Sequence, residues 1–176
     1  MIHYMNDCIA QVISLRCQRP FMKSPKPRPT GAAFLLAQLG AHAADRFGER
    51  IKKLRLAPRH AGILRIIEKT PSCNQRTLAK KLRVLPSRMV ILVDELAGKG
   101  LVERKRSTKD RRHSELVLTP RGRRMLEKIS QLAAQHEADL CAALTSKERE
   151  LLASLGRKIV HQQGLTPDVH PGYRKL

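Results

Sequence analysis

The sequence predicts a mainly α-helical fold carrying one small β-hairpin wing, and three observations lead there. Apolar residues recur at steps of three and four through six segments, the spacing of a buried helical stripe. Two short segments of this kind are joined by a tight connection, Arg83 to Leu85. Downstream, Leu101-Val102 and Leu116-Val117-Leu118 read as short strands flanking a charged tip.

The first helix runs from Ala32, with Leu36, Leu39, Ala43, Phe47, Ile51 and Leu54 along one stripe. Pro58 suits the first turn of a second helix, where a missing amide costs nothing, and Ile63, Leu64, Ile66 and Ile67 supply its core side before Pro71 ends it. Asn74 caps a short third helix with Leu78 and Leu82 four apart. In the fourth, from Pro86, residues Met89, Leu92, Val93 and Leu96 face inward, and Gly98 and Gly100 stop it. After the hairpin, Thr119 caps and Pro120 starts a fifth helix with Met125, Leu126, Ile129, Leu132, Ala133 and Leu140 as its stripe. Thr145 and Glu148 form a capping box for a sixth, with Leu151, Leu152, Leu155 and Ile159 on its buried side. Two short helices at a tight turn followed by a hairpin make a winged helix-turn-helix.

Outside this core, residues 1–30 read as an N-terminal extension ending in a Pro- and Lys-rich linker, "RPFMKSPKPRPTG" giving four prolines, and residues 164–176 as a loose tail. Thirty-five Lys and Arg against fifteen Asp and Glu leave a net charge of +20, so a polyanion is the expected partner, nucleic acid before an anionic membrane surface. Cys8, Cys17, Cys73 and Cys141 form no Cys-x-x-Cys pair, which argues against a disulfide framework or zinc ribbon and for reduced thiols. With no membrane-length apolar run and no signal-peptide pattern, the cytoplasm is the expected location.

Two places carry the expected chemistry. The outward start of the fourth helix, Pro86, Ser87, Arg88, Val90 and Ile91, offers one bidentate donor, one hydroxyl and apolar surface to a major groove. Asp94 and Glu95, read as outward one turn later, would be repelled by DNA, so only the first half of the helix is expected to enter. The bland reading is an amphipathic helix with a solvated face. Between the strands, Arg104 to Arg112 packs six cations into nine residues with one acid. A tip of Arg106, Lys109, Asp110, Arg111 and Arg112 makes sense against phosphates or in a narrow minor groove, with Asp110 orienting Arg112 rather than touching DNA. Its bland reading is a solvated charged turn.

The block "LAKKLRVLPSRMVILVDELAGKGLVERKRSTKDRRHSELVLTPRG", Leu78 to Gly122, resembles the signature of the MarR (multiple antibiotic resistance regulator) family. The most specific pieces are Asp94 and Leu96, Lys99-Gly100-Leu101-Val102, Asp110-Arg111-Arg112 and Leu118-Thr119-Pro120-Arg121-Gly122, and the helix order from Ala32 to Val160 extends the likeness to about three quarters of the chain. The resemblance implies a homodimeric transcription factor spanning residues 31–163, with 57–122 as the DNA-binding core and 31–56 and 120–163 as dimerisation helices. It places reading contacts on Pro86, Ser87, Arg88, Val90 and Ile91 and the wing contact on Arg112 with Asp110. This chain departs from the pattern at Leu85, where Ser or Thr usually caps, and at Val90-Ile91, where a polar pair is common.

Many members of that family answer to small aromatic acids or to oxidants. Here five aromatic residues and no Trp supply a phenol-stacking pocket poorly, and the thiols read as buried or idle, so the effector is left unidentified. His42, His60, His113, His136 and His161 show no ligand spacing, so neither metal nor cofactor is expected. With no phosphate loop or nucleophile elbow, an enzyme is not expected either. The expected function is a dimeric repressor on a double-stranded pseudo-palindrome. The rival is a non-specific basic binder, architectural on DNA or acting on RNA, and a third reading is a winged helix that binds protein alone.

Overall fold

The computed structural model describes residues 31–106, 114–166 and 169–170. The chain divides into two compact units, Met1–Ala37 and Gln38–Leu176. Of the first, the described part is the opening of helix α1 (Ala32–Lys52), where Phe34, Leu35 and Leu36 are exposed.

In the second unit α1 ends at a turn whose Arg55 has φ of 55°, and α2 (Pro58–Lys69) follows with its proline in the first turn. Asn74 Oδ1 accepts from the Thr77 amide at 2.8 Å and so starts α3 (Gln75–Leu82), as its sequence position predicts. Arg83, with φ 55° and ψ 42°, closes α3 in the left-handed region, and the Val84 amide returns to the Ala79 carbonyl at 3.0 Å. Two residues later α4 (Pro86–Gly98) begins.

Gly100, at φ 67°, turns the chain out of α4 into β1 (Val102–Arg106), which pairs antiparallel with β2 (Ser114–Leu118) from Val102 opposite Leu118 to Arg106 opposite Ser114. Backbone bonds tie the base of the hairpin to α4, close it on itself and join it to the α2–α3 connection. The Leu101 amide donates to Leu96 O at 3.0 Å, the Thr119 amide to Leu101 O at 3.1 Å, and the Leu116 amide to Cys73 O at 2.6 Å. Thr119 Oγ1 accepts from the Gly122 amide at 2.9 Å and starts α5 (Pro120–Leu140). Gly122 has no alternative here, because a Cβ would lie 2.0 Å from the Leu101 carbonyl oxygen.

The core joins all of these elements. Ile51, Ile63, Leu64, Leu78, Leu82, Met89, Leu96, Leu101 and Ile129 are fully enclosed. Thus α2, α3 and α4 put the predicted apolar stripes to use, Ile66 alone being only half-buried.

Two expectations for the C-terminal helices fail. Helix α6 (Ser146–Gln162) forms with the predicted capping box, yet buries no residue: Leu151, Leu152, Leu155 and Ile159 are all exposed. On α5, Ile129 is enclosed and Met125 and Leu126 are half-buried, but Leu140 is exposed. Periodicity reports which face is apolar, not what covers it, and among the described residues these side chains stay exposed.

Candidate nucleic-acid interface

Helix α4 starts with an unusual openness. Leu85 stands at the N-cap and makes no side-chain capping bond, and Pro86 follows without an N–H. The first-turn amides of Ser87 and Arg88 therefore lie where a helix has no acceptor of its own. Met89, Leu92, Val93 and Leu96 are buried, which fixes the roll of the helix. Pro86, Ser87 and Arg88 are consequently exposed, and Val90 and Ile91 keep 43% and 60% of their surface.

Of the two acids expected to face outward in the second half, Asp94 does and Glu95 does so only in part, and both have partners. Asp94 is exposed but ion-paired, with Arg104 Nη2 on β1 at 2.5 Å from its Oδ1. Glu95 is half-buried, and its Oε2 lies 2.8 Å from Nε2 of the buried His60. His60 Nδ1 accepts from the Ala57 amide at 3.1 Å, so the neutral ring carries its proton on Nε2 and donates to Glu95. Burial is the larger influence and lowers the His60 pKa against the opposing pull of Glu95. Both carboxylates thus have basic or hydrogen-bonding partners rather than free faces.

On the wing, Lys105 and Arg106 are exposed, with Lys105 Nζ 3.1 Å from Glu103. The tip expected to carry the minor-groove contact, Lys109, Asp110, Arg111 and Arg112, lies outside the described residues, and so does the Asp110–Arg112 pairing.

A cavity of about 640 Å³ opens between α1, α2 and α5, within the range of small-molecule sites. Small residues, Gly40, Ala43, Ala44, Ala61 and Gly62, leave the space, while Phe47 and Ile129 give apolar walls and Arg59 and Arg65 cationic ones. Phe47 and His136 have ring centroids 5.6 Å apart, and burial followed by the Arg50 charge lowers the His136 pKa. Arg50 also pairs with Asp139 across α1 and α5. The tail read as loose contributes here, since Val169 packs on the core and His170 lines the cavity.

With this geometry in place, comparison with known proteins identifies the lineage. The family description "MarR family" matches residues 56–114. A protein of Thauera aromatica assigned to transcriptional regulation of the hcr operon is 35% identical over 106 residues, 60% of this chain and 64% of that protein, so the chain spans less than two thirds of that relative's length. The HTH-type transcriptional regulator BilQ of Clostridium symbiosum is 32% identical over 104 residues, 59% of this chain and 69% of BilQ. The chain belongs to the MarR family. Among MarR-family structures, the transcriptional repressor CouR, solved on a 23-mer DNA duplex, is 30% identical with a TM-score of 0.65, covering 74% of this chain and 92% of CouR. CouR of Rhodococcus jostii RHA1 has also been solved with p-coumaroyl-CoA. The named MarR-family relatives are regulators, not enzymes.

Sequence reasoning missed the two ties that hold the second half of α4, Asp94–Arg104 and Glu95–His60. Only the other bond of His60, to the Ala57 amide, had a legible signal: His60 is the third residue of α2, where a side chain can reach back to a cap lacking one of its own. Cys73 is buried, and burial raises its thiol pKa, while Cys141 is half-buried. Among the described residues no three His, Cys, Asp or Glu side chains gather as a metal site, and no helix is long and apolar enough to cross a membrane.

Proposed function

We propose that this chain is a cytoplasmic, dimeric transcriptional repressor that lays α4 in the major groove of a pseudo-palindromic operator and its wing in the adjacent minor groove. The observation that carries this reading is the division of α4. Its first half presents Pro86, Ser87, Arg88, Val90 and Ile91 to solvent, and its second half has both carboxylates engaged by Arg104 and His60. A helix built this way loses its electrostatic objection to phosphate, and its open N-terminus attracts anions. The wing tip, Arg106 and Lys109 to Arg112, adds the cations that reach beside it. Uncovered apolar residues on α1 and on α6 support a second copy as the partner of both helices.

The cavity supports regulation by a small effector. Its cationic Arg59 and Arg65 and its apolar Phe47 and Ile129 suit an anion with an apolar body, and CouR, solved with p-coumaroyl-CoA, is a relative with such a ligand. Binding of that ligand would reach α4 through α2, whose His60 grips Glu95.

The deciding experiment is binding-site selection from random duplex at about 150 mM salt. An inverted repeat with half-sites about one helical turn apart is expected. Tight binding with uniform recovery would replace the specific regulator by a non-specific basic binder, and no binding at that salt would leave a protein-binding winged helix.

A further inference from the structure

We propose that α4 selects thymine: Val90 and Ile91 take 5-methyl groups of the major groove, so each half-site carries thymines at the steps these side chains cover. The inference rests on the DNA-reading role proposed above and assigns its base chemistry.

The outward face of a solvated helix is ordinarily polar. Here the outward start of α4 holds Val90 and Ile91 at 43% and 60% exposure, beside Leu85 at 72%, with only Ser87 and Arg88 able to hydrogen-bond. Ser87 stands three and four residues before the two apolar side chains, so all three share one side of the helix. Of the four bases, thymine alone offers the major groove an apolar group, its methyl; guanine, adenine and cytosine present donors or acceptors. Pressed against those polar edges, Val90 and Ile91 would strip water and return no hydrogen bond, a penalty that discriminates against them. Both side chains branch at Cβ and keep essentially one helical rotamer, so their reach is fixed before binding. The cations around them, Arg88 at the same face and Arg104, Lys105 and Arg106 on β1, make a polyanion rather than an apolar protein the complementary occupant.

The test uses the full chain and the duplex recovered by site selection, with each thymine of a half-site replaced by deoxyuridine, which deletes the methyl and keeps the pairing. Affinity should fall about fourfold for each methyl in contact, the equivalent of about 0.8 kcal/mol, and be unchanged for replacements in the flanks. Ile91→Ala and Val90→Ala, both at exposed positions that leave the core intact, should each weaken the natural duplex by a similar factor and then be indifferent to the matching deoxyuridine. Half-sites without thymine, a flat response to every deoxyuridine, or equal losses by the variants on both duplexes would overturn the inference while leaving the specific regulator standing. Failure to recover any shared sequence would remove the regulator and the inference together.

Discussion

One buried imidazole, His60, joins the start of α2 to the middle of α4: it accepts the Ala57 amide at 3.1 Å and donates to Glu95 at 2.8 Å. Removing it leaves a helix-start amide and a half-buried carboxylate without their partner. His60→Ala should therefore lower stability by about 1–3 kcal/mol in urea unfolding. Glu95→Gln retains an acceptor and should cost less, and equal losses in the two variants would show that the ring packs rather than bonds.

The same ring sets a direction for acid sensitivity. Its folded pKa lies below the ordinary value of 6.5, so the unfolded chain takes up a proton first. Stability is then complete above 6.5 and declines as pH falls from there toward the lowered folded value. His136 shifts in the same sense. Melting temperature followed from pH 7.5 to pH 5 should drop on the acid side, with a shallower slope in His60→Gln; identical slopes would assign the effect elsewhere.

Gly122→Ala should be among the most damaging single changes outside the apolar core. The added methyl would sit 2.0 Å from the Leu101 carbonyl oxygen, a backbone atom held by the Thr119 amide. Relieving it means moving the start of α5 off the hairpin, a loss of about 3 kcal/mol by the scale of overpacked sites. Calorimetry reads this directly, and an unchanged melting temperature would contradict the close approach.

Asp94→Asn separates stability from DNA affinity. Its ion pair with Arg104 is exposed on both sides, so folding stability should move by less than about 1 kcal/mol. On the proposed interface, the change removes a negative charge near phosphate and frees a guanidinium, so affinity at low salt should rise severalfold. Weaker binding would mean that the pair orients Arg104 for contact.

The parts of the fold that depend on local chemistry were legible in the sequence. Asn74, Thr119 and Thr145 cap where their spacing predicts because a cap needs only a side-chain oxygen and an amide two or three residues on. The roll of α4 was legible for a similar reason, since Met89, Leu92, Val93 and Leu96 leave one arrangement of inside and outside. What escaped depended on distant partners. His60 and Glu95 are 35 residues apart, and no periodicity links them. His170 reaches the cavity from a segment whose prolines and polar residues read as a free tail. The stripe of α6 was correct as a pattern and wrong as burial, because periodicity marks an apolar face without specifying a cover, and among the described residues that face stays exposed.

That last difference yields a test of assembly. Leu152→Glu places a charge on the open face of α6 without touching the enclosed core. Sedimentation should show the wild-type chain as a dimer and the variant as a monomer with weakened operator binding. A dimeric variant would place the contact on another surface.

A helix that folds with its apolar side uncovered has further consequences for a molecule that dimerises through it. Part of its cohesion is then held between molecules, and mass action governs that part: a ligand present at a hundred times its dissociation constant adds about 2.7 kcal/mol to the state it binds. The melting temperature becomes a function of how much protein is present, rising with concentration, where a chain that covers Leu151, Leu152, Leu155 and Ile159 by itself would melt at one value. On the proposed dimer, dilution would loosen the fold and separate the two copies of α4 in the same step, so the abundance of the protein would set both its durability and its grip on DNA.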